Sequence, residues 1–244
     1  MSESLRDKVA LVTGSSSGIG EAIARLFALE GAAVIVNSAR SVATGEKVAA
    51  ELPNAIYVRA DVSREDEAKA LIAAALDRWG RLDILVNNAG TTRVIPHHAL
   101  DQVTDEDWQR ILGVNVVGTW YVTRAAVPAL KARRGSILNV TSVAGVRAAG
   151  SSIPYAVSKA ALNHLTRLLA NVLGPEIRVN AVAPGLVDTP WTADWDAVRA
   201  SVRQRAPLQR SGTPEDIARA ALLLTLSEYT TGEVLLADGG INLR

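Results

Sequence analysis

Short runs rich in β-branched and aliphatic residues alternate with longer stretches of helical periodicity along the whole chain, and this alternation constrains the fold more than any other feature. Val9–Thr13, Val34–Asn37, Ile56–Arg59, Ile84–Asn87, Ser136–Val140, Arg178–Val182 and Val234–Leu236 read as buried strands. Helical segments fall between them at Ile19–Glu30, Gly45–Leu52, Arg64–Trp79, Asp105–Leu130, Pro154–Leu173 and Pro214–Leu226. Two helix starts carry local signals: Ser63 with Asp66 has capping-box spacing, and Thr213 before Pro214 sets a cap ahead of a first-turn proline. Strand–helix alternation implies right-handed crossovers and a parallel sheet covered on both faces. No repeat, linker or low-complexity tract interrupts the 244 residues. The expectation is therefore one α/β domain spanning residues 1–244, doubly wound around a seven-stranded parallel sheet.

Charge and cysteine content narrow the function. Lys and Arg number 26 against 25 Asp and Glu, a balance unlike the basic excess of most nucleic-acid binders. The absence of cysteine removes disulfides, thiolate nucleophiles and thiolate metal sites. Three histidines, His97, His98 and His164, give no metal-ligand spacing. No signal-peptide layout opens the chain and no apolar run reaches the ~18 residues of a membrane span, so a cytoplasmic location without membrane or nucleic-acid partners is expected.

Chemistry concentrates at the expected strand ends. Thr13-Gly14-Ser15-Ser16-Ser17-Gly18-Ile19-Gly20 follows the first strand and runs into a helix. Glycines there allow a tight turn and close backbone approach, and the helix start offers N–H groups and positive dipole to a pyrophosphate. The spacing is Gly-x-x-x-Gly-x-Gly rather than Gly-x-Gly-x-x-Gly, and a purely structural turn is the competing reading. Asn87-Asn88-Ala89-Gly90 ends the fourth strand, where ligands of open parallel sheets bind. Asp61 follows the third strand, facing either a base or its own helix start. The second strand ends in Asn37-Ser38-Ala39-Arg40-Ser41 without a carboxylate. An acidic residue there would bond a ribose 2′-hydroxyl, whereas an arginine accommodates a 2′-phosphate. The lack of acid favours NADP(H) over NAD(H), with a solvated Arg40 as the alternative.

Tyr155 and Lys159 share one helix face. An adjacent ammonium favours the phenolate, which would lower the phenol from its ordinary value near 10 and fit it for proton exchange with a carbonyl or alcohol. Ser142, ending the fifth strand, would hold the substrate oxygen beside it, and Asn115, awkward in mid-helix, marks a kink or a bound water.

Together, Thr13–Gly20, Asp61, Asn87–Gly90, Asn115, Ser142, Tyr155–Lys159, Asn180–Gly185 and the closing Asp238-Gly239-Gly240 resemble the short-chain dehydrogenase/reductase family over essentially the whole chain. The resemblance implies a Rossmann fold and hydride transfer between a nicotinamide and a carbonyl or secondary alcohol. In it Ser142 orients the carbonyl, Tyr155 moves the proton, Lys159 holds the nicotinamide ribose and tunes Tyr155, and Asn115 supports a water relay. Implied cofactor positions are Gly14, Ser16, Ser17, Gly18, Ile19, Gly20, Ser38, Arg40, Asp61, Val62, Asn88, Ala89, Gly90, Pro184, Gly185, Val187 and Thr189, together with Tyr155 and Lys159. It also implies a homotetramer paired through the helices at Asp105–Leu130 and Pro154–Leu173. The latter has an apolar stripe of Val157, Ala161, Leu165, Leu168 and Val172, widened by Ala156, Ala160, Leu162 and Leu169. Such width suits burial against a second subunit or deep within its own domain.

The nearest likeness is to 3-oxoacyl-carrier-protein reductases. The basic Lys131-Ala132-Arg133-Arg134 run suits an acidic carrier, but Ala170-Asn171-Val172 stands where those enzymes tend to present a further arginine. A reductase of another small ketone or alcohol, of steroid, sugar or polyketide kind, is equally open. A non-catalytic nucleotide sensor would be expected to have lost Tyr155 or Lys159, and both are present. By the same resemblance Leu186–Gly212 corresponds to the family's variable substrate loop and its helices, and it contains Trp191 and Trp195, suited either to a ring-bearing substrate or to packing the loop down. Arg93, His97 and His98 line the entrance or are simply solvated.

Overall fold

A computed structural model describes residues 3–244. In chain order β1 (Val9–Val12) leads to α1 (Gly18–Leu29), β2 (Ala33–Ser38) to α2 (Val42–Ala50), β3 (Ala55–Arg59) to α3 (Glu65–Trp79), and β4 (Ile84–Asn87) to α4 (Asp105–Leu112) and α5 (Thr119–Arg133). Then follow β5 (Ser136–Val140), α6 (Ile153–Leu173), β6 (Arg178–Pro184), α7 (Asp196–Arg205), α8 (Pro214–Leu226) and β7 (Val234–Ala237). The strands form one seven-stranded sheet in the order β3-β2-β1-β4-β5-β6-β7, parallel throughout. The doubly wound α/β expectation is met.

Residue alternation along the strands builds both layers. Ala10 and Val12, Val34 and Val36, Ile84 and Val86 point to one face, where Ile23 and Phe27 of α1 and Ile217 and Ala221 of α8 cover them. Val9 and Leu11, Ala33 and Ile35, with Leu85 and Ile137, point to the other and pack on Leu71 of α3, Val122 and Leu130 of α5, and Leu169 of α6. Burial of each large aliphatic side chain contributes about 1.5–3 kcal/mol. The order reverses between β1 and β4, so the turns after these two strands open toward each other at the sheet's carboxyl edge.

Several local expectations are corrected. The stretch 105–130 is not one helix: α4 and α5 are separated by a π-helical turn, Gly113–Gly118, because the Asn115 side chain is drawn sideways into other hydrogen bonds and glycines flank it. Ser63 and Asp66 do not form a capping box. Ser63 instead donates twice to Asp61 Oδ1, from N at 3.0 Å and Oγ at 2.7 Å, and α3 starts after Arg64 without a side-chain cap. Thr213 does cap α8, reciprocally with Asp216. The stripe of α6 is not deep in its own domain: Leu162 and Leu169 are buried, but Val157, Leu168 and Val172 are 44%, 51% and 68% exposed. Helix α7 lies inside Leu186–Gly212, the segment for which the resemblance implies helices in the substrate loop. No helix among the described residues is long and apolar enough to cross a membrane.

Candidate active site

The turn after β1 is locked to the turn after β4. Thr13 Oγ1 accepts from the backbone N–H groups of Asn88 (3.0 Å) and Ala89 (3.1 Å), and Asn88 Nδ2 donates to the carbonyls of Thr13 and Gly14, both at 2.9 Å. This closeness requires glycine. Gly14 sits at φ +62°, and a Cβ there would fall 2.8 Å from Ala89 Cα; one at Gly20 would strike Asn88 Nδ2 and lie 2.5 Å from the Gly14 carbonyl oxygen. Ser17, the N-cap of α1, makes no side-chain cap bond, which leaves first-turn N–H groups for an anion.

Asn37, fully buried in β2, was not anticipated as a site residue. Its Oδ1 accepts from Gly14 N at 3.2 Å, and its Nδ2 donates to Val58 O and Ala60 O, each at 3.1 Å. It therefore ties three strand ends into one floor. An amide among Val34–Val36 was the available signal, since a buried polar side chain needs partners. Beyond it Ser38 Oγ meets Tyr57 Oη at 2.9 Å, while Arg40 stands exposed on the rim. Asp61 lines the cleft with its Oδ1 engaged by Ser63.

The second cluster forms where β5 and α6 meet. Ser152 caps α6 by accepting from Tyr155 N at 3.4 Å, so the tyrosine projects from the first turn. Lys159, one turn on, is 4% exposed; its Nζ donates to Val140 O at 2.9 Å and lies 5.7 Å from the Tyr155 ring centroid. Asn115 accepts from Thr91 N at 2.8 Å and donates to Thr91 O at 3.0 Å and Ser158 Oγ at 2.9 Å, while its own carbonyl accepts from Thr119 Oγ1. Ser158 was missed from the sequence; its hydroxyl donates in turn to Tyr155 O at 2.7 Å.

The titration behaviour departs from expectation. Burial pushes the Tyr155 phenol up to about 12, with the Ser142 hydroxyl pulling modestly the other way. Burial likewise brings the Lys159 ammonium down to about 8. The expected lowering of the phenol by the lysine is not found: desolvation of the phenol itself sets the direction, and the phenol is held protonated.

One cleft of about 940 Å³ joins the two clusters. Gly14, Ser17, Gly18, Ile19, Gly20, Ser38, Arg40, Asp61, Val62, Asn88, Ala89, Gly90, Ser142, Tyr155, Lys159, Pro184, Gly185, Val187 and Thr189 all line it. Ser16 and Asn115 do not; Asn115 stands behind the wall as a support. His97 lines the cleft with a buried Nε2 that lacks a hydrogen-bond partner. Arg93 is instead paired with Asp107 at 2.7 Å, and His98 lies off the cleft. Among the described residues no cluster could hold a metal ion.

The residues fit a dinucleotide: a glycine cradle that any Cβ would fill, a helix start over it, and a cleft continuing to the half-buried Tyr155 phenol. Comparison with known proteins agrees. Residues 14–242 match the family described as enoyl-(acyl carrier protein) reductase. The chain is 59% identical over 239 residues to a protein named as granaticin polyketide synthase ketoacyl reductase 2 of Streptomyces violaceoruber, covering 96% of each chain. It is 41% identical over 246 residues to a 3-oxoacyl-[acyl-carrier-protein] reductase of Thermotoga maritima, covering 97% of this chain and 98% of the relative. A crystal structure described as a short-chain dehydrogenase/reductase from Brucella melitensis superposes with a TM-score of 0.93 at 32% identity, covering 99% of both chains. The chain belongs to the short-chain dehydrogenase/reductase family, as an oxidoreductase of carbonyl and alcohol groups similar to the 3-oxoacyl-carrier-protein reductases.

Proposed function

We propose that this chain is an NADP(H)-dependent reductase of 3-oxoacyl groups carried as thioesters, with Tyr155 as the proton donor. The observation that carries the reading is the phenol kept protonated beside Ser142 and above a buried Lys159, in a cleft continuous with the glycine cradle. The nicotinamide, when bound, supplies the hydride that reduces the carbonyl carbon. The Ser142 hydroxyl donates a hydrogen bond to the substrate oxygen and fixes its direction. Tyr155 Oη delivers its proton to that oxygen as negative charge develops there, general-acid catalysis that contributes about 10²–10⁴-fold. Lys159 would hold a ribose hydroxyl of the cofactor, and its Nζ keeps positive charge near the phenol, which eases proton loss. Asn115 holds the turn at Thr91 and, through Ser158, the first turn of α6.

Gly14, Ser17, Gly18, Ile19 and Gly20 would hold the pyrophosphate region, and Asp61 with Val62 the adenine. Asn88, Ala89 and Gly90 would lie along the nicotinamide ribose, and Pro184, Gly185, Val187 and Thr189 along the nicotinamide. Ser38 and Arg40 would receive the 2′-phosphate, since no carboxylate stands at that strand end to repel it. The apolar edge of α6 left exposed by Val157, Leu168 and Val172 suits pairing with a second copy in a homotetramer. Ketoacyl specificity is favoured over other ketones by the 59% identical relative.

The test is NADPH consumption with a 3-oxobutanoyl thioester by wild type and Tyr155→Phe. The expected result is turnover by wild type and a loss of at least about 10²-fold in the variant, with NADPH affinity retained. Full turnover by Tyr155→Phe would remove the proton-donor assignment. A chain that binds NADPH and reduces no carbonyl would be the nucleotide sensor instead.

A further inference from the structure

The segment over the catalytic end is built unlike the rest of the chain. Its two ends meet in a parallel bridge, Val187 with Gly212, reinforced by Asp188 N donating to Gly212 O at 2.9 Å and Gly212 N to Leu186 O at 2.8 Å. Between them α7 contains no buried residue. Along it Val198, Ser201, Val202 and Arg205 line the cleft at helical spacing, with Trp195 just before its first residue, so the lining is part apolar and part polar. Val94 and Ile95 line the same cleft. Apolar side chains that line a cleft without joining the core are surface open to a ligand.

Trp191 stands against the proton donor. Its ring meets that of Tyr155 edge to face, centroids 6.4 Å apart at 65°. Its Cη2 lies 3.8 Å from where a Gly90 Cβ would stand, yet the residue is 46% exposed. The indole therefore overhangs the proton donor with much of its surface uncovered.

We infer that Trp191 is the specificity-determining residue of this site and, among 3-oxoacyl groups, selects those whose reacting carbonyl adjoins a flat, apolar ring. The inference rests on the carbonyl-reductase reading above. A ring beside the carbonyl can stack against the indole while its far edge lies on the Val198 face; a short linear chain covers neither. Aromatic contact together with the apolar area covered amounts to about tenfold or more in affinity.

The test compares kcat and KM, at saturating NADPH, for ethyl 3-oxo-3-phenylpropanoate and ethyl 3-oxobutanoate with wild type, Trp191→Phe and Trp191→Ala. In wild type the phenyl-bearing keto ester is expected to have the higher kcat/KM. Trp191→Ala is expected to lower the ratio of the two kcat/KM values about tenfold, chiefly through KM for the ring compound. Trp191→Phe, which keeps an aromatic face, is expected to restore most of the ratio. Equal losses for both ketones in Trp191→Ala, or a ratio that phenylalanine does not restore, would overturn the inference. So would a wild type that prefers ethyl 3-oxobutanoate, which leaves the reductase reading standing. Reduction of neither ketone overturns both.

Discussion

The nucleotide end and the substrate lid line one cleft but are built by opposite means. At the nucleotide end short polar side chains and backbone groups satisfy one another: Thr13 with Asn88 and Ala89, Asn37 with Gly14, Val58 and Ala60. Nearly every position there is fixed by backbone proximity, so the allowed residue is small or single. The lid is a loop closed at its neck, with a helix that buries nothing and holds its apolar side chains toward the cleft. A fixed cofactor rewards the first design, whereas variable substrates are accommodated by changing side chains on the second.

Rigidity at the fixed end has a stability cost that should be measurable. Lys159 is 4% exposed and titrates at about 8 against an ordinary 10.5. Below pH 8 the ammonium is charged in both folded and unfolded chains, and the folded state carries the full desolvation penalty. A displacement of this size corresponds to about 3 kcal/mol. Between pH 8 and 10.5 the folded chain sheds this proton while the unfolded chain keeps it, so stability recovers as pH rises. Lys159→Met should therefore lose turnover yet unfold at higher denaturant at pH 7, with the gap to wild type narrowing by pH 10. A variant less stable at pH 7, or a gap that ignores pH, would show that Lys159 is well accommodated as a cation.

A second break concerns the cradle itself. In Gly20→Ala the new methyl meets Asn88 Nδ2 and the Gly14 carbonyl, one of which is backbone and cannot yield. Overpacking of this kind costs roughly 1–3 kcal/mol, which should appear as a loss of up to about a hundredfold in NADPH affinity by fluorescence titration. Wild-type affinity would mean that the two turns are not held as closely as their hydrogen bonds indicate.

The same contrast explains what could be read from the sequence. Strand ends, the glycine turn, Asn88 and the Tyr155–Lys159 pair were legible because each is forced by periodicity or by a backbone constraint. Helix α7 was legible only through the family resemblance and not through its own pattern, because a helix shows itself through the apolar face it buries, and Asp196–Arg205 buries none. The Ser63 cap failed because Asp61, two residues earlier, competes for the same donors. Asn37 and Ser158 serve contacts distant in sequence, which no local pattern announces. The direction of the Tyr155 shift depends on depth below the surface, and neither spacing nor residue type records depth.

Arg40 sharpens the comparison at the boundary of the fixed end. It lines the cleft on an exposed rim next to Ser38, where the Ser38–Tyr57 bond holds the strand end. Arg40→Ala should weaken NADPH binding about tenfold while changing NADH little, the scale of one charge-assisted phosphate contact. Equal weakening of both cofactors would place the preference elsewhere.

The smallest effect belongs to the lid's internal latch. Arg199, absent from the cleft lining, donates to Asp188 at 2.8 Å, Asp196 at 2.9 Å, Ala193 O at 3.1 Å and Thr192 O. All four partners lie within the lid, so the arginine ties the Trp191 turn to α7 without touching the sheet. Its removal should therefore be invisible to global unfolding and visible only locally. Arg199→Ala is expected to speed amide exchange across residues 188–206 roughly tenfold and to leave exchange in β1, β4 and β5 unaltered, because local openings of exposed loops lie far below the global transition. Arg199→Lys, which keeps the charge but not the several-pronged geometry, should fall between the two. Faster exchange in the strands as well would mean that the lid is a structural part of the domain, and the division between a fixed end and an adaptable one would fail.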